Sequence, residues 1–148
     1  MTRILICHNA TDRLQAAVFW LAQEFVWNNA DTRTTLYIPD AHRANQIDQL
    51  LWSHPPTGFL PHCRAHSPLV AETPIIIAET IDELDGIPRS TYLLNLDDTQ
   101  PPGFEHYLNL IEIISQEESV RQPGRERARY YREQGHDIQY RDLQKEPL

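Results

Sequence analysis

The chain has 148 residues, 41% of them hydrophobic and 23% charged, with a formal net charge of −8. That length fits one domain, residues 1–148, with a real core rather than two, and the balance is globular, not disordered. The acidic total argues against a protein that coats duplex DNA, because such affinity comes from neutralised phosphates.

The chain opens on Arg3-Ile-Leu-Ile-Cys-His8, an apolar run of the kind buried in a parallel sheet. Thr11 or Asp12 can cap a helix that runs to about Asn29, with Leu14, Val18, Leu21 and Phe25 at helical spacing and Trp20 and Trp27 beside them. Thr34–Ile38 is the second strand, ended by Pro39 and Asp40, and Ala41–Trp52 reads as a second helix through Ile47, Leu50 and Leu51. This βαβα order predicts a doubly wound, Rossmann-like α/β domain with a mainly parallel sheet. Ser53–Thr73 reads as loop, rich in proline; Pro74–Ala78 and Thr91–Leu96 are further strands. Pro101–Phe104 begins a short helical turn, Leu108–Ile114 is a fifth strand, and a last helix ends near Gly135, with His136–Tyr140 as a candidate edge strand.

Apolar runs are too short to span a membrane, which takes about 20 residues. The N-terminal residues carry no signal-peptide pattern, and Cys7 and Cys63 stand alone, so a reduced, cytoplasmic protein is expected.

A doubly wound sheet raises the expectation of a nucleotide, whose phosphates need glycines in the turn after the first strand. Here that turn is His8-Asn-Ala-Thr-Asp12, without a glycine, and neither GxGxxG nor a Walker-type loop occurs. No cofactor is therefore expected. His62, Cys63 and His66 have zinc-ligand spacing, but nothing completes the set and Arg64 between them opposes a cation, so loop residues are the better reading. Asp97 and Asp98 follow the fourth expected strand, where α/β enzymes place catalytic acids; turn capping explains them equally well. A small α/β enzyme or nucleotide-binding protein using the first turn and these acids is the rival reading.

Two features ask for partners. Leu51–His62 carries Trp52 at a helix end, then prolines, then Phe59, a stiff loop presenting aromatics typical of interface anchors or folded back on the core. Arg121–Arg132 holds five arginines and one acid, a reversal of the chain's overall sign. A helix there puts Arg125, Arg129 and Arg132 on one face, and arginine grips carboxylates or phosphates in a fork. Pro123 in a helix interior costs on the order of 3 kcal/mol, so the helix is expected to restart at Pro123, taking Arg121 off the stripe.

The order Leu-Trp-x-x-x-Pro-x-x-Phe-x-Pro-His from Leu51, followed by a Gly-Arg-Glu-Arg helix that ends in Tyr-Arg-x-x-Gly, resembles the DNA polymerase III chi subunit family over essentially the full length. The resemblance implies a non-catalytic replisome subunit. It would pair with the psi subunit, which tethers it to the clamp loader, and bind the acidic, aromatic-ended C-terminal tail of the single-stranded-DNA-binding protein. By position it puts Trp52 and Phe59 on the psi-facing surface and Ile114, Arg121, Arg125 and Arg129 on the tail-binding surface. Arg125 would take the terminal carboxylate, and Arg121 and Arg129 the aspartates. Ala128 stands where relatives often carry an aromatic, so the apolar socket would be shallower or completed by Tyr130 or Tyr131. Direct nucleic-acid binding is not expected.

Overall fold

The computed structural model describes residues 2–27, 33–53, 60–70, 73–80 and 92–146, with side chains to residue 23 in the first stretch. The expected roles of Phe25, Trp27, Asn29, Phe59 and Thr91 lie outside the described residues or side chains.

Along the chain the elements are β1 (Arg3–Ala10), α1 (Arg13–Trp27), β2 (Thr34–Tyr37), α2 (Ala41–Ser53), β3 (His62–Arg64), β4 (Ile75–Ala78) and β5 (Tyr92–Asn95). A 3-10 turn (Phe104–His106), β6 (Asn109–Ser115), α3 (Glu118–Glu133) and β7 (Asp137–Asp142) complete them. Among the described residues seven strands form one sheet in the order β3-β4-β2-β5-β6-β1-β7, each pairing parallel. This is the doubly wound α/β architecture that the alternation of elements predicts.

Alternating side chains feed the cores on the two faces of the sheet. In β6, Ile111 and Ile113 pack toward α1 and α2, while Leu110 and Ile114 pack toward α3, as the two-residue period of a strand requires. On the first face Ala17, Val18 and Leu21 of α1 and Ala44, Ile47 and Leu51 of α2 are buried at helical spacing. Each such side chain contributes roughly 1.5–3 kcal/mol by leaving water. Asp12 caps α1, accepting a hydrogen bond from the Gln15 amide at 3.0 Å. Asp40 caps α2 in the same way through His42 at 2.9 Å.

Two expectations are corrected. The stretch expected as loop contains β3, an edge strand of three residues held by its register with Ile75–Ile77 and not by any apolar run of its own. The helix also does not restart at Pro123: α3 runs unbroken from Glu118 through it. The proline removes one backbone donor, yet burial of Val120 before it and of Gly124, Ala128 and Tyr131 after it holds both sides to the sheet. The helix then closes in a Schellman motif: Gly135 (φ 81°) donates to the Arg132 carbonyl at 3.0 Å and His136 to the Tyr131 carbonyl at 3.2 Å.

Candidate functional site

An unbroken α3 places Arg121, Gly124, Arg125 and Ala128 at i, i+3, i+4 and i+7, on one helical face. That face lies over the carboxyl-terminal half of β1, where Ile6 and His8 point to the same side of the sheet. Tyr140 of β7 stands in register with Ile6. Together with Asn9 and Ile114 these residues line a groove of about 280 Å³. Its floor is aliphatic, from Ile6, Ile114 and Ala128, and Arg121 and Arg125 also line it.

Gly124 sets the groove's depth. A Cβ at this position would lie 2.6 Å from Cδ1 and 3.0 Å from Cγ1 of Ile114, so only glycine lets the helix come so close to β6. The strand side is fixed by Asn9, whose φ of 64° is left-handed, a conformation that asparagine tolerates better than most residues. Its amide nitrogen donates to Asp142 Oδ2 at 3.1 Å, and Gln144 Nε2 donates to its carbonyl at 2.9 Å. These bonds latch the end of β7 onto β1.

Arg121 Nη2 pairs with Glu118 Oε2 at 2.6 Å on the exposed side, while its buried Nε has no partner among the described residues. Arg125 is exposed at the rim, and Arg129, one turn on, is exposed but does not line the groove. The structure thus brings together Ile114, Arg121 and Arg125, and leaves Arg129 beside them. Tyr131 does not complete the socket: it is fully buried, and its hydroxyl donates to Glu112 Oε2 at 2.6 Å. Tyr130 is exposed and also lies off the groove. The aromatic that does line it, Tyr140, comes from β7.

Arg127 is likewise not part of the basic surface. It is buried against Glu112, donating from Nε to Oε2 at 3.1 Å and from Nη2 to Oε1 at 3.0 Å, and from Nη1 to the Asp98 carbonyl at 2.8 Å. Asn95 Nδ2 also donates to Glu112 Oε2 at 3.0 Å. Burial works against the charge on Arg127, but the carboxylate of Glu112 outweighs it, and the guanidinium pKa lies above its usual value. Burial, reinforced by Glu112, likewise raises the Tyr131 hydroxyl. A lone glutamate within the apolar run Leu-Ile-Glu-Ile-Ile was the signal for this cluster in the sequence.

The acids of the rival reading are engaged elsewhere. Asp98 receives Arg13 Nη1 at 3.2 Å and Arg43 Nη2 at 3.3 Å. Asp97 caps its own turn, bonded to the hydroxyl and amide of Thr99. Burial lowers the Arg13 pKa to about 10. His62 is buried, with Nε2 2.9 Å from Asp48 and Nδ1 2.7 Å from the Leu60 carbonyl. No group of three candidate metal ligands occurs among the described residues. At the end of α2, Trp52 is 62% exposed, its ring edge-on to His62 with centroids 4.8 Å apart. Among the described residues no helix is long and apolar enough to cross a membrane.

Fold and groove together define a doubly wound α/β domain that carries an arginine-rimmed apolar groove in place of a phosphate loop. The chain belongs to the family described as DNA polymerase III chi subunit, HolC, whose model matches residues 1–139. A Pseudomonas aeruginosa protein named DNA polymerase III subunit chi is 32% identical over 105 residues, covering 70% of each chain. Among solved structures the C-terminal domain of S. cerevisiae Dbp5, solved bound to Gle1 and IP6, superposes with a TM-score of 0.59. It is 12% identical, with 95% of this chain and 88% of that one covered, so the likeness is one of fold alone.

Proposed function

We propose that the protein is a non-catalytic bridging subunit of the DNA polymerase III clamp-loader complex, acting in the cytoplasm. In this reading the groove between α3 and β1 receives the acidic C-terminal tail of the single-stranded-DNA-binding protein. Trp52, exposed at the end of α2, and Phe59, assigned by the resemblance alone, receive the psi subunit.

The observation that carries the first assignment is the pairing of Arg121 and Arg125 with the aliphatic floor made by Ile6, Ile114 and Ala128. A tail of aspartates ending in a hydrophobic residue and a carboxylate needs both cations and an apolar socket, and the arginine stems extend that socket. Arg125 takes the terminal carboxylate in a charge-assisted fork. Arg121, released from Glu118, and Arg129 beside the groove meet the upstream aspartates. Tyr131 serves from beneath, holding α3 in place through Glu112. The exposed indole of Trp52 supports the second assignment, since tryptophan is a frequent anchor of protein interfaces.

Calorimetric titration with a peptide from the C-terminus of the single-stranded-DNA-binding protein tests the groove. Arg125→Ala should lose roughly 1.5–3 kcal/mol of binding, the worth of one charge-assisted contact. Unchanged affinity removes Arg125 from the site. Single-stranded DNA alone should bind weakly or not at all, without the steep salt slope of a phosphate-binding protein.

A further inference from the structure

We propose that Tyr140, seated on the edge strand β7 with His8 beside it, is the aromatic wall that makes this groove select an aromatic residue at the end of an acidic peptide. The inference rests on the groove being a peptide site, and it names the residue that sets specificity there.

The helix side offers no ring to such a residue. It presents Gly124 and Ala128, the two smallest side chains available, and so leaves the groove wide. Apolar cavities of roughly 150 Å³ already take up benzene, and the groove here holds about 280 Å³. Across from the helix, Tyr140 is 52% exposed and belongs to neither core. Its one ring neighbour among the described residues is His8, edge-on at 76° with centroids 6.4 Å apart. A second ring entering between Tyr140 and Ile114 gains the offset or edge-to-face contact that aromatic pairs prefer, and it buries surface that the fold leaves in water.

The wall is also pre-organised. Parallel pairing sets Tyr140 beside Ile6 at the floor, and the Asn9–Asp142 and Gln144–Asn9 bonds tie down the strand just beyond it. A rigid aromatic wall binds without the ordering cost of a mobile one. The arginines supply attraction for any acidic peptide, and Tyr140 supplies discrimination among them.

The test titrates the full-length protein with two short acidic peptides, each with a free carboxylate, one ending Asp-Asp-Phe and the other Asp-Asp-Ala. Wild type should prefer the first. Tyr140→Ala should weaken the first by roughly three- to tenfold and the second by less than about twofold, while Tyr140→Phe keeps the preference. Tyr140 is exposed on an edge strand, and matching thermal melts of the three proteins check that the fold is kept. Equal weakening of both peptides, or of neither, overturns the inference. If neither Tyr140 variant changes binding while Arg125→Ala weakens both peptides, the groove reading stands and the aromatic wall falls. If wild type binds neither peptide, the groove reading fails and takes the wall with it.

Discussion

Arg127 and Glu112 face each other fork to fork in the interior, with Nε–Oε2 and Nη2–Oε1 separations of 3.1 and 3.0 Å. Both are nearly excluded from water, and the hydroxyl of Tyr131 and the amide of Asn95 occupy the remaining carboxylate sites. The pair fixes the rotation of α3 on the sheet, and with it the face that presents Arg121 and Arg125. Removing one partner leaves a buried charge without compensation. Arg127→Ala should therefore destabilise the fold by about 3–5 kcal/mol, read as a lower urea midpoint. A loss under about 1 kcal/mol would show that water or rearrangement satisfies Glu112.

Gly124→Ala places a methyl group where Ile114 already lies. Overpacking of this kind costs typically 1–3 kcal/mol, and it displaces the helix that carries the rim. The expected outcome is a lower melting temperature together with weaker tail-peptide binding. Unchanged binding would mean that Ile114 shifts aside without altering the groove.

Burial pushes the Cys7 thiol up from 9.0 to about 11, against a smaller opposing effect of Arg141. A thiol with a raised folded-state pKa gives its full stabilisation below pH 9 and loses it as the pH rises from 9 through about 11. Arg13 acts in the opposite sense from about pH 10 upward, because burial lowers its folded pKa and the unfolded chain then holds the extra proton. Between pH 8 and 10 the urea midpoint should fall, and in Cys7→Ala it should fall less, by about 1 kcal/mol at pH 10. Parallel curves for the two proteins would contradict the assignment. At pH 8 the half-buried Cys63 should react with a thiol reagent in the native state, and Cys7 only after unfolding.

Trp52→Ala removes an exposed ring, so thermal stability should change little while co-purification with a co-expressed psi subunit drops sharply. Recovery of psi at the wild-type yield would remove Trp52 from that interface.

Much of the fold was legible because β1, β2, β4, β5 and β6 are short runs rich in apolar and β-branched residues and α1 and α2 carry their buried residues at helical spacing. β3 was not, since His62, Cys63 and Arg64 owe their strand conformation to Ile75–Ile77 alone. Ile114, Arg121 and Arg125, which the resemblance names, line one groove together. The helix does not restart at Pro123, because helix propensity there yields to packing on either side of it, so Arg121 keeps the phase of Arg125. Arg127 reads in sequence as one more surface cation, and its partner Glu112 sits in a different element. Tyr140 and His8 meet only because β7 pairs with β1, an adjacency between opposite ends of the chain that no local pattern encodes.

The proposed occupant of the groove of α3 and β1 is the tail of the single-stranded-DNA-binding protein. That occupancy is tested most directly by titrating this protein with that partner, intact and lacking its acidic C-terminal tail. Binding to the intact partner, weakened by salt and by Arg125→Ala and abolished by loss of the tail, is the predicted result. Equal affinity for the intact and tailless forms would contradict it.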